Sequence, residues 1–212
     1  MKTQLIYLVI CLILVNCKES KPDIALKFSD KPVAINCDID HSELFNEALY
    51  NFEENLFENH NVKNPNLNSA FRDFLKTSIN NAANYNNITN QHSLDIYKEL
   101  RNIEGLYIEK DNNVTLNYNH EIFSCIGENI QDKDLKATFK ALLSTNSMSL
   151  RMLKDVFINK SGRINSDKYL TTFVALELYY SKLADVDLSK KHVKPIETLK
   201  EDNDPHAGHN HD

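Results

Sequence analysis

Apolar residues recur at helical spacing over most of the stretch from residue 37 to residue 188, while only four glycines serve the whole chain of 212 residues. Tight hairpin turns need backbone at positive φ, which falls mainly to glycine, so a chain this poor in glycine is a weak candidate for a β sandwich or barrel. Apolar positions three and four apart put one stripe on each helix and demand a partner for it. The expected fold is all-α, a single multi-helix domain of about six to seven helices.

Individual elements can be placed from their punctuation. Asp40 with Glu43 three residues later forms a capping box, Ile39 and Leu44 sit where a hydrophobic staple would, and Leu44, Phe45, Ala48, Leu49, Phe52 and Leu56 make one apolar face. A second helix is expected after Pro65 with Leu67, Phe71, Phe74, Leu75 and Ala82 inward, and a third over residues 91–103 with Leu94, Tyr97 and Leu100. Residues 106–117 have the pattern of a short β-hairpin, two apolar triplets flanking Asp111, Asn112 and Asn113. Asn119 would cap a helix bearing Ile122, Phe123, Ile126 and Ile130; further helices fit residues 134–143 and 149–158. The segment 167–184 is apolar on most sides and is expected to run through the centre of the domain.

The amino end reads differently. Lys2 precedes an apolar run over residues 5–15, then come Asn16, Cys17, Lys18 and Glu19. A spanning helix needs roughly 20 apolar residues, so this run is a secretory signal rather than a membrane span. The sequence Leu14, Val15, Asn16, Cys17 resembles the lipobox of bacterial lipoproteins, departing from the usual pattern at Asn16, where a smaller residue is common. That resemblance implies cleavage before Cys17, acylation of its thiol, export, and attachment to a membrane through lipid. Two or three acyl chains exceed what stable anchoring needs. Lys18 and Glu19 resemble the short charged signal that directs Bacteroidota lipoproteins outward, which implies the outer membrane or cell surface. The expected organisation is a signal peptide over 1–17, a polar linker over 18–36, the helical domain over 37–188 and a charged tail over 189–212.

Taking away the single positive charge of Lys2 from a formal net charge of −6 leaves the exported chain at −7. With no basic cluster, that balance excludes nucleic acid as a partner, because such binding depends on neutralising phosphates. Cys37 and Cys125 are the only cysteines left once Cys11 is removed and Cys17 is acylated, and an oxidising compartment permits them to form a disulfide.

The one concentration of ligand chemistry is the carboxyl end, where His206, His209, His211 and Asp212 fall within seven residues and Gly208 lets the chain fold around an ion. Neutral imidazole suits zinc, nickel and copper. The segment resembles the histidine-rich ends of bacterial envelope proteins linked to divalent-metal handling. No cofactor is required elsewhere. The expected function is therefore that of a non-enzymatic envelope lipoprotein whose tail binds or buffers divalent metal. Its rival is a lipid-anchored module that docks an envelope protein partner, the tail being incidental.

Other chemistries find less support. There is no Glu-x-x-His pair for a di-iron bundle, no Cys-x-x-Cys-His for covalent haem, and no Gly-x-Ser-x-Gly turn for a hydrolase. Asn159, Ser161, Gly162 and Ile164 mimic a calcium loop, but that register puts Phe157 and Lys168 where carboxylates belong. Cys37, Asp38, Asp40 and His41 could ligate an ion only if Asp40 were not a cap and Cys37 not bridged. Glu53, Glu54 and Glu58 read as a solvated helix face, and the lone histidines as surface or capping groups.

Overall fold

The computed structural model describes residues 22–60, 66–110 and 113–191. Helix α1 (Ser42–Asn59) is followed by α2 (Leu67–Ile79), a single turn α3 (Tyr85–Ile88) and α4 (Gln91–Asn102). A two-stranded antiparallel hairpin, β1 (Tyr107–Lys110) and β2 (Asn113–Leu116), pairs Tyr107 with Leu116 and Ile108 with Thr115. Then come α5 (Glu121–Asn129), α6 (Lys133–Ser144), α7 (Leu150–Asn159), a short α8 (Ser161–Ser166) and α9 (Lys168–Val174). The chain continues from α9 through a π-helical turn over Ala175–Tyr179 and a 3-10 segment over Tyr180–Asp185. The all-α expectation with a short hairpin holds. The two shortest helices, α3 and α8, lack the repeated stripe that would have announced them.

The run beginning at α9 is the axis of the core, as its composition foretold. Phe173 meets Phe123, Phe139 and Phe157 edge-on at centroid distances of 5.0–6.2 Å, which ties α5, α6 and α7 together. One π turn later Tyr179 meets Phe52 at 5.4 Å and Phe74 at 6.3 Å, joining α1 and α2 to the same axis. Edge-to-face aromatic pairs add about 0.5–1.5 kcal/mol each beyond their area burial. Close packing reaches α5 and α6 at Gly127, where an added Cβ would lie 3.3 Å from Phe139 Cδ1.

Caps explain where several helices start. Asn90 and Ser93 form a reciprocal capping box on α4, Asp132 caps α6 through Leu135 N–H, and His120, not Asn119, accepts Ile122 N–H at the start of α5. Asp167 begins the central run: its Oδ1 accepts Tyr169 and Leu170 N–H, and its Oδ2 accepts Gln131 N–H at 2.8 Å from across the fold. Loss of a cap destabilises by about 0.5–2 kcal/mol, and a buried orphaned N–H adds about 1–3 kcal/mol. Asp167→Ala is therefore expected to lower the unfolding free energy by about 2–4 kcal/mol in urea titration. A change under about 1 kcal/mol would mean that this cap is dispensable.

Three local expectations are corrected. Helix α1 is not opened by an Asp40 capping box; His41, in the left-handed region at φ 62°, precedes it without a side-chain cap, and the His41 carbonyl accepts Leu44 and Phe45 N–H. Ala82 lies past the end of α2 and is exposed. Residues 22–36 belong to the packed unit, since Phe28 is buried and Ile35 is wholly so. Two apolar anchors suffice to fasten a segment whose average composition is polar.

Candidate functional site

Glu47, Asn51 and Asn55 stand four apart on α1, so they form one ridge along the helix. All three are buried, where polar atoms need partners, and of their side-chain polar atoms only Asn51 Nδ2 lacks one. Ser93 Oγ donates to Asn51 Oδ1 at 2.7 Å and accepts from Asn55 Nδ2 at 2.8 Å, while Asn90 Nδ2 donates to Asn55 Oδ1 at 2.8 Å. Tyr179 OH donates to Ser93 Oγ at 3.0 Å, and Tyr180 OH to the Ala48 carbonyl at 3.0 Å. Burial pushes the Tyr179 phenol up to about 12 and raises Tyr180 well above its ordinary value, so both act as hydrogen-bond donors throughout the physiological range. The network specifies register between α1, α4 and the central run.

Glu47 takes the same ridge to the surface of the core. Its Oε1 accepts from His92 Nε2 at 2.5 Å and from Lys27 N–H at 2.7 Å, and its Oε2 accepts Phe28 N–H at 3.0 Å. One residue earlier, Asn46 Oδ1 accepts Ala34 and Ile35 N–H, and its Nδ2 donates to the Ile35 carbonyl. Tyr50 OH donates to the Pro32 carbonyl at 2.6 Å. Helix α1 thus holds residues 27–35 as a strap, by backbone hydrogen bonds to side chains. A shallow cavity of about 170 Å³ opens where strap and helix part, and Lys31 Nζ lies 4.7 Å from the Phe28 ring centre at its edge.

A second polar cluster faces the hairpin. Tyr118 OH donates to Glu177 Oε2 at 2.9 Å, within the π turn, and burial raises the Glu177 carboxyl despite that bond and nearby Lys182. Tyr107, raised chiefly by burial, keeps a covered hydroxyl without a partner beside Arg101, whose guanidinium sits 5.1 Å from its ring centre. π turns often mark functional places. Here the widening carries Tyr179 and Tyr180, adjacent in sequence, into the core together.

On the far side Asp132 pairs with Lys160 at 3.0 Å and Arg163 at 3.1 Å. The Leu135 N–H, then Lys160 and Arg163, hold its carboxyl down to about 2. These are surface ties between α6 and the α7–α8 corner. At the end of α1, His60 Nε2 lies 3.1 Å from Asp73 Oδ2 of α2 on the wall of another cavity of about 170 Å³.

No protein-family model, no curated protein and no solved structure matches this chain.

Cys17 and the tail ligands His206, His209, His211 and Asp212 lie outside the described residues. Cys37 and Cys125 are joined as a disulfide with 5.9 Å between their Cα atoms. That bridge removes Cys37 from any metal cluster with Asp38, Asp40 and His41, and among the described residues no three His, Cys, Asp or Glu side chains group to hold an ion. The calcium-like segment forms the end of α7 and the helix α8 instead.

Two readings of charged groups are corrected. Glu53 is buried and paired with Lys168, so it is not part of a solvated face. His92 is neither a surface nor a capping group but a buried partner of Glu47; His120 does cap. The missed group had a signal: a carboxylate at position 47 shares the α1 ridge with Leu44, Ala48 and Asn51, where a solvated residue has no place. What the sequence could not supply was its partners, which come from 45 residues downstream and about 20 upstream.

Proposed function

We propose that this chain is a non-enzymatic, lipid-anchored protein of the cell envelope whose histidine-rich tail binds divalent transition metal. The observation that carries the proposal is the set His206, His209, His211 and Asp212, three imidazoles and a carboxylate within seven residues. The folded domain supports it by what its histidines do: His92 is committed to Glu47, His120 to a helix cap, and His41 also has a partner. His92 and neighbouring Ser93 are both buried, an unsuitable setting for nucleophilic attack on an outside substrate. Attachment through acylated Cys17 is consistent with the absence, among the described residues, of any helix long and apolar enough to cross a membrane.

Deletion of residues 204–212 is expected to weaken Zn²⁺, Ni²⁺ and Cu²⁺ binding by the chelator-treated chain at least ten-fold in calorimetric titration, with folding unchanged by circular dichroism. Undiminished binding after the deletion would overturn the metal reading. The protein-docking alternative would then lead, drawing on Val33, Phe57, Ile108 and Met152, the large apolar side chains exposed among the described residues.

A further inference from the structure

The strap and the helix facing it form an aromatic wedge that already holds a cation, the chain's own Lys31. Lys31 N–H donates to the Phe28 carbonyl at 3.0 Å, and this turn brings the lysine back over the ring that precedes it. Its Nζ lies 4.7 Å from the Phe28 ring centre and 5.0 Å from that of Tyr50 on α1. The two ring centres stand 6.0 Å apart with their planes tilted by 41°, so one ammonium meets both rings.

Both walls of the wedge are fixed before any ligand arrives. Phe28 is buried and its N–H is held by Glu47 Oε2, while Tyr50 OH donates to the Pro32 carbonyl at 2.6 Å. The lysine is not fixed in this way. Its side chain is exposed, and a lysine over an exposed ring prefers that position by a factor of only about two to five. Phe28, Lys31 and Tyr50 all line the cavity of about 170 Å³ between strap and α1, so the wedge opens into room for a small ligand.

Charge and hydrogen bonding decide what takes the lysine's place. Residues 22–60 carry nine Asp and Glu against Lys27 and Lys31, a balance that favours a cation over an anion. Glu43 lies exposed on the cavity wall and pairs with no lysine or arginine among the described residues. The other polar groups there are already engaged: Glu47 accepts from three donors, Asn46 Oδ1 from two, and Tyr50 OH has given its proton to Pro32. A ligand rich in N–H groups finds few free acceptors in such a place. A quaternary ammonium needs none and is drawn to the ring faces directly.

We propose that the Phe28–Tyr50 wedge binds a small quaternary ammonium head group, and that Lys31 is a competitor belonging to the chain itself, seated on the rings in the free protein and swung out when the ligand enters. The site lies wholly within the strap and α1, and it stands whether or not the tail binds metal.

The test titrates choline chloride into the full chain in detergent, against sodium chloride at equal ionic strength, while the ring resonances of Phe28 and Tyr50 are followed. Saturable shifts of both rings are expected with choline and not with sodium. Lys31→Ala removes the competitor and is expected to tighten choline binding about three-fold or more. Tyr50→Leu removes one wall and is expected to weaken it about five-fold or more, whereas Tyr50→Phe, which keeps the ring, stays within about two-fold of the parent. If neither the parent nor Lys31→Ala gives a saturable choline response, there is no such site. If Lys31→Ala leaves the affinity unchanged or weakens it, the lysine does not compete and the proposal is overturned, a result that stands even where Tyr50→Leu fails to fold. A folded Tyr50→Leu chain that binds choline as tightly as the parent also overturns it, because the rings are then not the receptor.

Discussion

Reduction of the Cys37–Cys125 bridge is expected to lower the unfolding free energy by about 4–5 kcal/mol, the largest single loss any one bond in this fold should produce. The bridge spans 88 residues of sequence. In the chain-entropy account, closing a loop of that length removes conformational freedom from the unfolded chain worth about 4–5 kcal/mol at room temperature. The bond also sits where the fold has most to gain. Cys37 lies two residues past the strap, and Cys125 lies on α5, whose Phe123 packs on Phe173 in the aromatic cluster of the central axis. Breaking it removes the covalent tie between the end of that segment and the second half of the domain, leaving the Asn36 N–H bond to Tyr169 OH. Urea denaturation of the same chain with and without reductant measures the effect without substituting any residue. A difference below about 1 kcal/mol would show that residual structure in the unfolded chain already supplies the constraint.

How much of this was legible in the sequence depends on the range over which each contact acts. Helices α4 to α7 announced themselves because their stripes are local: Leu94, Tyr97 and Leu100, and Ile122, Ile126 and Ile130, recur at three and four residues. The hairpin was legible for the same reason, two short apolar runs about a turn. The 167–184 segment was recognised as central because it lacks a polar face, yet the π turn within it was not, since nothing in the composition of Ala175–Tyr179 distinguishes a widened turn from an ordinary one. Residues 22–36 looked like a linker because Phe28 and Ile35 are isolated in polar sequence. Their burial depends on Glu47, Asn46 and Tyr50 reaching them from the next helix.

The start of α1 failed for a related reason. Asp40 and Glu43 satisfy a local capping rule, but the incoming chain is already tied by the Cys37 bridge and by Asn46 to Ile35, and these longer ties set where the helix begins. Tertiary contacts overruled a cap worth about 1 kcal/mol. The His60–Asp73 pair was equally out of reach, because the two residues sit on different helices thirteen positions apart. Sequence spacing can group candidate ligands only where they share one segment, as the proposed set in the tail does.

Glu47→Ala is expected to destabilise the domain by about 3–5 kcal/mol and to loosen the strap before anything else. The Glu47 side chain is 1% exposed and that of His92 8%, so removing the carboxylate leaves an imidazole buried beside the Phe28 ring without its partner. Breaking a buried hydrogen-bonded pair by deleting one member has an effect of that size, because the survivor keeps its desolvation penalty. Two backbone donors, Lys27 and Phe28 N–H, lose their acceptors at the same time. Those two amides report the local event: hydrogen exchange at Lys27 and Phe28 should accelerate well beyond that of the α5 and α6 amides, which lie away from Glu47. Substitution by Gln, which keeps one acceptor oxygen, should recover part of the loss. If Glu47→Ala slowed or left unchanged the exchange at Lys27 and Phe28, Glu47 would not be what holds the strap, and residues 27–35 would have to be fixed by Asn46, Tyr50 and the disulfide alone.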